Sequence, residues 1–113
     1  MKHINQRNMR IINEIMLYCL NIGCKNVNVN FSKLSDRVVI NLASEIDDLS
    51  KESIDKMYFL LSTPRKPEIE EYYWLLNGGD DTNSELSLVG MMTDEISINY
   101  TNNILTINLI RLN

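Results

Sequence analysis

Asn83 to Arg111, NSELSLVGMMTDEISINYTNNILTINLIR, is the stretch on which the fold turns. Leu86, Leu88, Val89, Met91 and Met92 crowd residues 85–93 with apolar side chains, as a short buried helix requires. Ile96, Ile98 and Tyr100 then alternate with Ser97 and Asn99. Successive side chains of a strand point to opposite faces, so a period of two gives one apolar and one polar face. Thr101, Asn102 and Asn103 turn the chain, and Leu105, Ile107 and Leu109 alternate with Thr106 and Asn108 up to Arg111. A helix feeding an antiparallel hairpin is the expectation.

The same alternation occurs once more, upstream. Val27, Val29 and Phe31 alternate with Asn28 and Asn30 in a strand over Lys25–Phe31. Ser32–Asp36 is a turn, and Val38, Ile40 and Leu42 point inward from a second strand over Arg37–Leu42. The pattern breaks over Ala43–Asp48. Before this hairpin, Ile12, Met16 and Cys19 share a helical face over residues 4–22, flanked by Ile11, Ile15 and Ile22, and Gly23 supplies the left-handed residue that ends the helix. Arg10 and Glu14, four apart, are placed to pair at its surface.

After the hairpin, Ser50 or Asp48 caps a helix over residues 50–62, whose apolar face carries Ile54, Met57, Tyr58 and Leu61. Pro64 and Pro67 stop it. Pro67 also suits the first turn of a further helix, where Glu68, Glu70 and Glu71 meet the positive end of the dipole. Ile69, Tyr72, Tyr73 and Leu76 form its stripe, and Asn77, Gly78 and Gly79 end it. The order is α-β-β-α-α-α-β-β in a single domain, residues 1–113. Asn28, Asn30, Asn41, Ser97, Asn99, Thr106 and Asn108 make one sheet face polar, so helices cover only the other. The fold class is α+β: a two-layer sandwich with a four-stranded, mostly antiparallel sheet.

A length of 113 residues suffices for one core. The net charge of -4 provides no basic field for phosphate backbones, which argues against nucleic acid. Longer apolar runs would be needed to span a membrane. Asn13 and Glu14 interrupt the segment after the basic N-terminus, unlike a signal peptide. Cys19 and Cys24 read as small hydrophobes rather than a disulfide framework. Together these predict a cytoplasmic protein. Two thiols and His3, the one histidine, are too few for a soft-metal site. The carboxylates Glu45, Asp47, Asp48 and Glu52 lack the spacing of a calcium loop, so capping and solvation account for them. No cofactor or metal is expected. In PRKPEIEEYYWLLNGG, aromatics follow a basic, proline-flanked turn at Arg65 and Lys66. Tyr, Trp and Arg dominate binding hot spots, which nominates Arg65, Tyr72, Tyr73 and Trp74 as partner-binding residues. A core helix with amphipathic aromatics is the competing reading.

Two stretches resemble a known family. NEIMLYCLNIG, from Asn13 to Gly23, followed by VNVNF, is similar to the helix motif of the GHKL, or histidine kinase-like, ATPases. Asn83 to Glu95 resembles the G-L-G-L segment and apolar pair before D-E in the related anti-sigma-factor serine kinases, with Leu86, Leu88, Val89, Met91, Met92, Asp94 and Glu95 following the pattern. The resemblance places Glu14 at the activating acid and Tyr18 at the asparagine that holds magnesium. It also places Asn83 and Glu85 at phosphate-loop glycines. NLASEIDD stands where the family carries an adenine-reading aspartate and a Gly-x-Gly. Glycines let backbone approach phosphate, and Glu85 would set a like charge against it. The family's N-terminal strand and helix have no counterpart. The resemblance therefore implies a degenerate scaffold: a non-catalytic regulatory or protein-binding module, in bacterial signalling or sigma-factor control, with a protein partner or a second copy. The alternative it implies is a divergent ATP-binding kinase or ATPase using Glu14.

Overall fold

The computed structural model describes residues 3–65, 68 and 86–112. Within them lie α1 (Ile4–Asn21), β1 (Asn26–Lys33), β2 (Arg37–Glu45), α2 (Lys51–Leu61), α3 (Leu86–Met91), β3 (Glu95–Thr101) and β4 (Ile104–Leu112). The helix expected to begin at Pro67 lies, but for Glu68, outside the described residues. None of the described helices is long and apolar enough to cross a membrane.

All four strands run antiparallel in the order β1-β2-β4-β3. The two hairpins are therefore joined through β2 and β4, with Asn41 opposite Asn108 and Leu42 opposite Ile107. This register carries one polar row across the whole sheet, from Asn30 through Asn41 and Asn108 to Ser97. On the other face Val38, Ile40, Leu42, Leu105, Ile107 and Leu109 are buried with Ile11, Ile15 and Cys19 of α1, Met57 and Leu61 of α2, and Leu88 and Val89 of α3. The α+β architecture expected from the alternation is the one observed.

Local chemistry fixes the boundaries. The Ser50 hydroxyl accepts from the Ser53 amide at 3.1 Å and caps α2. Gly23 takes φ +92° just past α1. Asn102 and Asn103 both take positive φ between the paired Thr101 and Ile104. That is the two-residue turn that matches strand twist, and asparagine tolerates it better than most residues. The β2-to-α2 connector is pinned by Tyr100, whose hydroxyl donates to the Ile46 carbonyl at 2.6 Å and accepts from the Leu49 amide at 3.1 Å. Tyr100→Phe leaves both groups without that partner. We expect it to cost about 1–2 kcal/mol in urea unfolding, with the sheet's far-UV signature intact.

Three expectations need correction. β2 does not break at Ala43 but continues to Glu45. Ser44 falls in the inward series and is accommodated because its hydroxyl donates to the Asn26 carbonyl at 2.8 Å. Tyr58 does not lie on the buried face of α2: it is 53% exposed, and Met57 and Leu61 carry that face. Glu14 does pair with Arg10, at 3.1 Å, but not at the surface, since its side chain is fully buried.

Candidate functional site

The C-terminal end of α2 and the start of β3 enclose an open cleft of about 380 Å³. Tyr58, Thr63, Arg65, Asp94, Glu95 and Ile96 are among the residues that line it. Its floor is set by Arg65. One guanidinium nitrogen, Nη1, donates to Asp94 Oδ2 at 2.6 Å and to the Leu112 carbonyl at 2.9 Å. The Leu112 amide donates to the same Asp94 oxygen at 2.6 Å. Arg65 thereby ties the exit of α2 to both strands of the closing hairpin. Its Nε is buried and makes no hydrogen bond. A charged donor buried without an acceptor costs free energy.

Tyr58 is the aromatic residue that lines the cleft. Phe59, next to Tyr58 on α2, is 76% exposed, the most exposed large hydrophobic side chain among the described residues. Of the nominated residues, Arg65 lines this cleft. Tyr72, Tyr73 and Trp74 lie outside the described residues. Phe59 was missed because sequence reading looked for a stripe. Its own signal was available: Phe59 is two residues from both Met57 and Leu61, so it falls on the helix face opposite theirs.

Glu14 does not line this cleft. It sits on α1 among buried polar neighbours on the same helix, with Arg7 two turns before it and Asn8 also fully buried. Tyr18 is half-buried, and burial raises its phenol pKa above the ordinary value. Cys19, one residue on, is pushed up to about 11 by burial, so at neutral pH it is an unreactive thiol. Both cysteines are free. The acidic cluster after β2 is anchored by Lys25, whose ammonium lies 2.9 Å from Asp47 and 3.7 Å from Glu45. Among the described residues no three potential ligands converge on a metal position.

No protein-family model matches the chain, and no curated protein matches it.

Proposed function

We propose that this chain is a non-catalytic, regulatory protein-binding module on a degenerate histidine kinase-like ATPase scaffold, acting in the cytoplasm in bacterial signalling or sigma-factor control. The observation that carries the binding role is that Tyr58, half exposed, lines the same cleft as Arg65, with the more exposed Phe59 next to it on α2. Exposed aromatic side chains and arginine are what protein interfaces select. The strand order, with helices on one sheet face and a polar opposite face, supports the scaffold.

The absence of catalysis is supported by Glu14. A general base must come within hydrogen-bond reach of the water or hydroxyl it activates. A carboxylate enclosed in α1 and paired to Arg10 is turned to a structural task instead.

A photo-crosslinking amino acid at position 59 tests the reading in living cells. The expected result is a discrete protein adduct that disappears when Tyr58→Ala is added, because both side chains are exposed and their change spares the core. Absence of any adduct from position 59 contradicts the reading.

A further inference from the structure

We propose that the free edge of β1 is a self-association surface, on which β1 of a second copy pairs antiparallel to extend the sheet from four strands to eight. β1 ends the sheet. The Leu34 amide donates to the Arg37 carbonyl at 2.8 Å, and the β1–β2 register continues from that pair. Antiparallel hydrogen bonding alternates, so Asn26, Asn28, Asn30 and Ser32 turn their backbone groups to β2. Val27, Val29, Phe31 and Lys33 turn theirs to the open edge.

The same residues carry the inward side chains. Val29 and Phe31 lie opposite Leu42 and Ile40, which are 2% exposed, yet are themselves 37% and 38% exposed. An unpaired backbone edge and an uncovered apolar strip thus coincide, a combination that soluble domains otherwise blunt. The helix above extends the strip. Lys33 Nζ donates to Asn5 at 3.1 Å, fixing which side of α1 faces this edge. Met9, Met16 and Leu20 follow Asn5 on that side at helical spacing, with Met9 and Leu20 exposed.

The surface itself indicates a second copy. Asn26 to Ser32 contains no charge, so an occupant must alternate apolar and neutral polar residues, and NVNVNFS does so. Asparagine amides both donate and accept, so a two-fold axis lets them satisfy each other. The ends are complementary as well. One end of β1 has Lys25 beside two carboxylates, Glu45 and Asp47. The other has Lys33 beside the paired Asp36 and Arg37. Antiparallel pairing sets the net negative end of each copy against the net positive end of its mate, whereas parallel pairing sets like against like.

Sedimentation equilibrium over a concentration series tests this directly. The expected mass is twice the chain's 13.1 kDa. Val29→Pro removes an amide that faces only the open edge and leaves the bonds to β2 intact, so it should give a folded monomer. Phe31→Lys should do the same, and Lys33→Glu should weaken association about two- to fivefold. A wild-type monomer at the highest attainable concentration overturns the proposal. So does a dimer that persists in both Val29→Pro and Phe31→Lys. A dimer broken by Phe59→Ala alone also overturns it, while leaving the α2 reading intact.

Discussion

Glu14→Ala is expected to destabilise the fold by about 3–5 kcal/mol, the effect of stripping one partner from a buried ion pair. Glu14 is fully enclosed, and Arg10, whose side chain is 17% exposed, is left facing the space where the carboxylate stood. Arg7, equally enclosed, stands on the same helix. A domain of this size has about 5–15 kcal/mol in total, so the change should move the urea midpoint by a large fraction of its value. Replacing the pair together, Arg10→Met with Glu14→Leu, should recover much of the loss, since apolar isosteres avoid the desolvation penalty. If Glu14 were an activating acid, Glu14→Ala would leave stability near wild type and remove activity. The two accounts predict opposite outcomes in one unfolding curve.

Gly90→Ala carries the second large effect. A Cβ at Gly90 would lie 2.9 Å from the carbonyl oxygens of both Leu60 and Leu61. These are backbone atoms at the end of α2, so no side-chain rotation relieves the clash. α2 and α3 must separate, and overpacking of that kind costs about 1–3 kcal/mol. The gain in helix propensity from glycine to alanine, about 1 kcal/mol at most, offsets only part of it. Because Leu61 and Thr63 also line the cleft, the displacement should be felt there as well. Gly90→Val should be worse, and hydrogen exchange of α3 amides should report the loosening before global unfolding does.

The hairpins were legible in the sequence because side-chain alternation is a local signal. Each of the four strands was found, and the polar face assembled from Asn28, Asn30, Asn41, Ser97, Asn99, Thr106 and Asn108 is the face the register produces. Which strands join the two hairpins was not legible: a shared core is compatible with several strand orders, and the β2–β4 pairing is known from the structure. What the sequence could not show was depth. Arg10 and Glu14 carry the same spacing whether they lie on water or under a helix, and only the packing of α1 decides between them. Tyr58 and Phe59 differ by one position, yet both look outward, because α2 is covered along a narrower face than its apolar content implies. β1 kept its period of two, but an edge strand lacks a neighbour on one side, which alternation does not encode. The close crossing at Gly90 was invisible for the same reason: it depends on where α2 ends.

Thermal denaturation with magnesium and ATP tests the central claim most directly. A ligand that binds only the folded state must raise its stability, by about 2.7 kcal/mol at a hundred times its dissociation constant. With Glu14 enclosed against Arg10, the melting temperature is predicted to stay unchanged up to millimolar nucleotide. A melting temperature that climbs with nucleotide concentration, and stops doing so in Glu14→Gln, would contradict the account.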